Sequence, residues 1–272
     1  MRIFYSFLLL AICCNCYGQF YVDSVGTSSM DEHFVRATAL YKQFENKEAL
    51  ISFDSLEVKW KQFIESQASE ESYQNYYLIK IKKIRIKRRM RILKREEVAD
   101  FLELESSLKR DISDSSVILA DYYSALAKAT IAVLSDLNAS IEYSNKSIGI
   151  YEKNGPKYLD YIGREYVQLG YACRGKLEYE KAEEYLLKSM EVNNMIEPEP
   201  SISMLYTQYA LASVYQDQNK FDEALKLSLV VEENAPKHLT EGHNLIYNNL
   251  EGISLIYKDK GDNQKCLEYA FA

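Results

Sequence analysis

Three histidines and one carboxylate are the residues of this chain with the most capacity for catalysis. His33 stands alone, whereas His238 and His243 flank Glu241. Imidazole and carboxylate groups held close together bind zinc or transfer protons near neutral pH. Side chains on one helix face recur every three or four residues, and the spacing of this trio does not bring it onto one face. We therefore predict no metal site, no cofactor and no catalytic residue, and we interpret the chain as a non-enzyme.

A second chemical feature is a run of basic residues between Lys80 and Arg95. Isoleucines alternate with the cations, so the run predicts an amphipathic basic helix. Such a helix binds an acidic protein, lipid head groups or nucleic acid. We favour pairing with acidic neighbours inside the protein and keep the other three as alternatives, nucleic acid being the least expected. The candidate basic patch consists of Lys82, Lys83, Arg85, Lys87, Arg88, Arg89 and Arg91.

The composition favours a helical protein with a sizeable core. The 272 residues are 47% hydrophobic and 27% charged, with a net charge of −7. Residues that break helices are scarce, with 10 glycines and 4 prolines, whereas tyrosine is abundant at 23. No stretch after the N-terminus holds about 18 consecutive apolar residues, so we predict no internal membrane span.

The N-terminus has the pattern of an export signal. Arg2 precedes an apolar run over residues 3–14, and Gly18 follows. A basic start, a short apolar segment and a small residue before the cleavage point are typical of a secretory signal peptide. We therefore predict a signal peptide over residues 1–18, cleaved near Gly18, and a linker over residues 19–29. The alternatives are a lipoprotein signal and a buried N-terminal helix.

An exported location restricts the expected partners. A signal that ends in Gly-Gln resembles those of the Bacteroidetes, so we expect a bacterial protein in the periplasm or elsewhere outside the cytoplasm. Nucleic acid is not an expected partner there. Membrane contact is expected only through a lipid anchor or through a C-terminal span beyond the given sequence. After cleavage two cysteines remain, Cys173 and Cys266, and we predict that both are buried free thiols.

Small residues recur at a fixed interval through the second half of the chain. Ser140, Ala182, Ala224 and Cys266 are each 42 residues apart. Fixed-period similarity indicates a repeat array, and a small residue lets two helices of a hairpin cross closely. The four prolines are predicted to fall in gaps between hairpins, because proline inside a helix costs about 3 kcal/mol. These patterns divide the chain into two degenerate helical hairpins over residues 30–111 and repeats over residues 112–272, the last of them incomplete.

The repeats resemble tetratricopeptide repeats, a family of helix hairpins. The best match is carried by Leu211, Ala212, Tyr215, Ala224 and Pro236. The resemblance implies an all-α fold, a right-handed superhelical solenoid of antiparallel helix hairpins. The usual period is about 34 residues, so a period of 42 resembles the long-repeat variant found in kinesin light chains and in bacterial regulators and sensors.

The same resemblance implies a binding groove lined by the first helix of each hairpin. Tyrosine offers a large contact area and arginine can bind a carboxylate through two hydrogen bonds, which suits a peptide or a partner helix. The alternative is that many of these tyrosines only pack between repeats. The implied groove residues are Tyr122, Arg164, Tyr171, Arg174, Tyr206, Tyr209, Gln216, Asn248 and Lys258.

Two functions follow from this interpretation, and neither involves catalysis. The first is a protein-interaction scaffold outside the cytoplasm, in its sharper form the sensory part of a membrane-bound transcriptional regulator or kinase. This form rests on the incomplete last repeat, which suggests that the given sequence is part of a longer chain. The second is a free-standing or lipid-anchored envelope accessory protein that binds peptides or partner helices.

Overall fold

A computed structural model describes residues 28–43, 45–196, 201–240 and 243–271. The predicted signal peptide, most of the predicted linker, Pro198, Pro200 and Glu241 lie outside these ranges. The described residues form helices and turns and contain no strand. The predicted all-α class is therefore confirmed.

Twelve α-helices follow one another in the described part of the chain. Their bounds are α1 Ser28–Lys42, α2 Asn46–Ser66, α3 Glu70–Arg89, α4 Arg95–Asp111, α5 Val117–Ala129, α6 Leu137–Lys153, α7 Leu159–Gly175, α8 Tyr179–Ile196, α9 Ile202–Asp217, α10 Phe221–His238, α11 Asn244–Asp259 and α12 Asn263–Ala270. A π-helical turn, Thr130–Leu134, extends α5, and a 3-10 turn, Pro156–Tyr158, precedes α7.

The chain divides into two compact units, one ending at Ile86 and the other beginning at Lys87. In the first unit α1 packs against α2. The rings of Phe34 and Phe53 meet edge to face with their centroids 5.6 Å apart, and Trp60 is buried in the same unit. The predicted boundary between residues 111 and 112 remains a prediction.

In the second unit each helix from α5 to α12 packs against the next one along the chain. The first helices of successive hairpins, α5, α7, α9 and α11, also pack against one another. Between α7, α8 and α9 lies an apolar cluster that includes Cys173, Leu186 and Leu211. The second helices α6, α8, α10 and α12 begin at Leu137, Tyr179, Phe221 and Asn263, which are 42 residues apart.

Close approach between helices explains most of the small residues. Ser140, Ala182 and Ala224 have no exposed surface. At Gly170 an added Cβ would lie 2.7 Å from Cγ of Leu186, so α7 and α8 could not pack this closely around a larger residue. Cys173 is buried as predicted, but Cys266 is partly exposed because it lies on α12, the last described helix.

Four turns inside the hairpins share one backbone conformation. Ser135, Leu177, Asn219 and Gly261 have φ values of 56°, 62°, 60° and 80°, and they are 42 residues apart. In the turns after α7, α9 and α11, the residue that follows the positive-φ residue donates its N–H to the carbonyl five positions earlier. In the turn after α7, for example, Glu178 donates to Cys173 O at 2.9 Å. This left-handed ending satisfies carbonyls at the helix C-terminus.

Two details differ from the sequence-based expectations. Pro236 lies inside α10 rather than in a gap, in the last turn before the helix ends at His238. The loss of one N–H there affects only the final hydrogen bonds of the helix. The segment Val117–Leu134, α5 with its π turn, has the length and composition of a membrane span, with a mean hydropathy of 1.5. Since α6 and α7 pack against α5 and most of it is buried, we interpret it as a core helix.

Candidate partner-binding face

Six of the predicted groove residues occupy two positions of the repeat, and each position is represented once on each of the first helices α7, α9 and α11. Residues 42 apart on these packed helices form two rows. One row is Arg164, Tyr206 and Asn248, and the other is Arg174, Gln216 and Lys258. We call the surface that carries both rows the first-helix face.

Tyr122 does not belong to this face, and its prediction is wrong. Its side chain has no exposed surface. Its hydroxyl donates to the carbonyl oxygens of Phe101 at 2.8 Å and Leu102 at 3.2 Å in α4. Burial raises the pKa of this hydroxyl. Tyr122 therefore joins α5 to α4 inside the core and offers nothing to a partner.

The first row is the more exposed of the two. Arg164 pairs with Asp160 at 2.8 Å one turn earlier on α7. Ser203 on α9 donates to the same carboxylate at 2.8 Å, so α7 and α9 are joined beside Arg164. Tyr206 follows with 38% of its surface exposed, and its ring centroid lies 6.3 Å from that of His243 in edge-to-face geometry. Asn248 is exposed on α11.

The second row is tied into the fold. Arg174 donates two hydrogen bonds to Asp217 on the next first helix, at 2.6 and 3.1 Å. Gln216 repeats the arrangement one hairpin later and donates to Asp259 at 3.1 Å. The hydrogen bond with Asp217 raises the pKa of Arg174 although partial burial opposes the shift. These side chains connect successive first helices, and only Lys258 of this row is exposed.

Tyr171 and Tyr209 lie between the rows and are partly buried. Tyr171 packs against the apolar cluster around Leu186, and Tyr209 packs against a second cluster that contains Leu205 and Val231. Burial raises the pKa of Tyr171, and the nearby Tyr209 adds to the shift. The alternative from the sequence, that some tyrosines pack between repeats, describes these two.

The prediction missed two exposed apolar residues of the same face. Ile202 is 42% exposed and lies 42 residues after Asp160, whereas Leu255 is 43% exposed and lies two periods after Tyr171. The repeat register would have found Leu255, because the equivalent Tyr171 was predicted, whereas Ile202 follows from helical spacing, one turn before Tyr206. With Tyr206, they are exposed apolar residues of the first-helix face, which also carries the exposed Asn248 and Lys258.

The basic run is largely occupied by contacts within the protein. In the unit that ends at Ile86, Lys80 contacts Glu57 at 2.8 Å and Lys83 contacts Asp54 at 2.6 Å. Partial burial opposes ionisation of Glu57, but hydrogen bonds from Lys80 and Lys83 outweigh it and lower its pKa. Lys82 lies 5.2 Å from the centroid of the Tyr41 ring.

The rest of the predicted basic patch is divided between paired and exposed residues. Lys87 forms an ion pair with Glu97. Arg85, Arg88 and Arg89 also interact with other groups of the protein, whereas Arg91 is exposed. Carboxylates of the protein pair with Lys80, Lys83 and Lys87, in agreement with the intramolecular pairing favoured from the sequence.

Two of the three histidines, His33 and His243, have side-chain contacts in the described residues. His243 precedes α11 as its N-cap, and its Nδ1 accepts a hydrogen bond from the N–H of Leu245 at 3.2 Å. His33 Nδ1 lies 3.2 Å from Nζ of Lys59. Among the residues that the structure describes, no three His, Cys, Asp or Glu side chains are placed to hold a metal ion.

No protein-family model matches the chain, and no curated protein sequence does. Solved structures do match. Nearly identical TPR-like repeats of a kinesin light chain from Podosopora anserina share 16% identity, with 72% of this chain and 92% of that chain covered and a TM-score of 0.57. BtubC from P. vanneervenii shares 15% identity over 82% and 87% of the two chains, with a TM-score of 0.62.

A third structure of the same fold contains a bound peptide. NprR in complex with its cognate peptide NprX shares 12% identity, with 92% of this chain and 67% of that chain covered and a TM-score of 0.64. Identities at this level establish the fold alone. The chain therefore has the fold of TPR-like repeat proteins, as its sequence predicted.

Proposed function

We propose that the chain is a non-catalytic scaffold that binds a protein segment or peptide on the first-helix face. The observation that carries this proposal is the exposure of Tyr206, with Ile202 one turn away on α9 and Leu255 on α11. Large apolar groups lose contact with water when a partner covers them, and tyrosine anchors contribute strongly to binding.

The chemistry of the face favours an extended segment with apolar side chains and few charges. The carboxylates near the second row already have partners, because Asp217 pairs with Arg174 and Asp259 accepts a hydrogen bond from Gln216. In the first row, Asp160 pairs with Arg164. Asn248 supplies an amide that can donate to and accept from a peptide backbone. The peptide-bound state of NprR supports this proposal, because a protein of the same fold holds a peptide.

The finer proposal places this scaffold outside the cytoplasm. It would consist of long, 42-residue repeats and act as the sensory part of a membrane-bound transcriptional regulator or kinase. The support is the basic and apolar pattern of residues 2–18 and the equal spacing of the hairpins. The alternative is a free-standing or lipid-anchored envelope accessory protein with the same binding face.

The binding face is tested with peptides selected from a random display library on the wild-type protein. Fluorescence polarisation then compares the wild type with Tyr206→Ala combined with Asn248→Ala. We expect at least about tenfold weaker binding, because anchor residues carry most of the affinity. Leu229→Ala is the matched control, since Leu229 is 38% exposed on the second helix α10. Unchanged affinity in the double variant, or equal loss in the control, would contradict the assignment.

The location is tested by expressing the full chain in a bacterium and measuring the mass of the mature protein. A chain that begins at Gln19 agrees with export and cleavage. A lipid-modified N-terminal cysteine favours the envelope accessory alternative. An uncleaved chain in the cytoplasm contradicts both forms of the finer proposal and leaves the binding face untouched.

A further inference from the structure

The turn between α3 and α4 presents an unusual surface. Arg91 is exposed, Ile92 beside it is 46% exposed, and Lys94 and Arg95 are exposed as α4 begins. An exposed isoleucine with cations on both sides combines an apolar group and positive charge within five residues. The groove function makes no use of this turn.

The backbone of the turn makes the arginine notable. Arg91 has a φ of 57°, in the left-handed region that side chains with a Cβ seldom adopt. At the equivalent point of later hairpins the chain has Ser135, Leu177, Asn219 and Gly261, of which asparagine and glycine tolerate this conformation best. Asparagine or glycine would suit the backbone better at position 91, so backbone preference does not account for the arginine.

The charge around this turn is opposite to that of the whole protein. The chain carries a net charge of −7. Between Lys87 and Glu97, in contrast, six cationic side chains accompany only two acidic ones. One of those acids, Glu97, is already paired with Lys87. An anionic surface would therefore be attracted to this turn and repelled by most of the remaining protein.

We propose that the turn formed by Arg91, Ile92, Lys94 and Arg95 docks on an anionic lipid surface. The three cations lie at the level of the phosphate head groups, and Ile92 enters the boundary between head groups and acyl chains. Cations near an anionic bilayer and a buried apolar side chain both stabilise such contact.

The exposed isoleucine favours a lipid surface over an acidic protein. A purely acidic chain such as poly-glutamate binds through the charges alone, whether or not residue 92 is apolar. A bilayer interface offers anions and an apolar phase at the same place. A substitution that keeps the charge and changes only residue 92 therefore separates the two partners.

The test is co-sedimentation of the full chain with phosphatidylcholine vesicles, with and without phosphatidylglycerol. The N-terminal apolar segment can bind either vesicle, so the readout is the difference between anionic and neutral vesicles. We expect the wild type to prefer anionic vesicles at low salt and to lose this preference at high salt. Replacing Arg91, Lys94 and Arg95 together by Gln should lower the preference about a hundredfold. Ile92→Asn should lower it about tenfold at constant charge.

The matched control replaces Lys61, Lys153 and Lys226 by Gln, which removes the same charge from exposed positions elsewhere. Retained binding in this control, with loss in the turn variant, supports the proposal. No preference for anionic vesicles in the wild type overturns it, and so does equal loss in both triple variants. Binding to a poly-glutamate resin that is unaffected by Ile92→Asn, without vesicle binding, would assign the turn to an acidic protein and overturn the lipid assignment.

Discussion

Leu177 occupies a position where its side chain has little reason to be leucine. It is 70% exposed and has a φ of 62° at the turn between α7 and α8. The equivalent residues of the next two hairpins are Asn219 and Gly261, with the same hydrogen bonds around them. The left-handed conformation costs roughly 1–2 kcal/mol for most residues with a Cβ, so Leu177 stores strain while burying little apolar surface.

Replacing Leu177 by Asn should therefore stabilise the protein. We expect the free energy of unfolding to rise by about 0.5–1 kcal/mol, because asparagine tolerates this conformation and little packing is lost. Urea unfolding followed by circular dichroism measures the change. The reciprocal substitution Asn219→Leu should destabilise the chain by a similar amount. A less stable Leu177→Asn variant would show that the leucine has a packing role.

At the scale of the element, the sequence predicted the helices well because their signals are local and repeated. Ser140, Ala182 and Ala224 mark close crossings, and all three are buried. The predicted end of α10 was wrong at Pro236, because a proline near the C-terminal end of a helix removes only one late hydrogen bond and the helix continues past it. Residue type alone does not show whether a proline lies in the last turn of a helix or in the gap that follows the helix.

The binding face was less predictable than the helices. Arg174 and Gln216 match the groove positions, but acids one hairpin later hold them. Tyr122 matches too, yet it lies under α4, whose packing the weak early pattern did not reveal. Whether a polar side chain is free depends on residues about 40 positions away, and a single repeat does not contain that information.

The contact between α8 and α9 predicts that the stability of the protein depends on pH through the hydroxyl of Tyr215. Its hydroxyl donates to Glu183 at 3.1 Å. Burial, the charge of Glu183 and this hydrogen bond raise the pKa of Tyr215 from 10.0 to about 12. A raised pKa means that this contribution to stability is complete below about pH 10 and is lost as the pH rises towards about 12.

Tyr215→Phe should therefore flatten the alkaline loss of stability. The variant lacks the hydrogen bond, so it should be less stable than the wild type at pH 9, and the difference should shrink between about pH 10 and pH 12. Urea unfolding at each pH measures both effects. Tyr247→Phe is the control, because Tyr247 is 55% exposed on α11. If the stability difference between the variant and the wild type stayed constant across the pH range, Tyr215 would not be a cause of the alkaline loss of stability.

At the scale of the whole molecule, the unit that begins at Lys87 has a buried polar residue at one position of each of three successive first helices. Glu165, Thr207 and Asn249 are 42 residues apart, and each is at most 1% exposed. Thr207 Oγ1 lies 3.0 Å from Ser189 Oγ on the preceding helix, and Asn249 donates to the carbonyl of Ser228 at 2.9 Å. These bonds join each hairpin to the one before it and require one register of packing, since a shifted helix would leave the polar groups unpaired.

Glu165 is the strongest case, and its removal tests how locally this unit is held together. Its carboxylate accepts hydrogen bonds from Ser124 at 2.7 Å and Ser144 at 3.1 Å, and it pairs with Lys128 at 3.0 Å. Glu165→Ala should cost roughly 3 kcal/mol, because the buried hydroxyls of Ser124 and Ser144 lose their acceptor and Lys128 loses its carboxylate. In a repeat array each hairpin contacts only its neighbours, so amide hydrogen exchange should accelerate in α5 to α8 and change little in α11 and α12. Asn249→Ala should give the opposite distribution, with faster exchange in α10 to α12. Uniform acceleration in both variants would mean that the unit unfolds as one cooperative body, and the local account of its stability would fail.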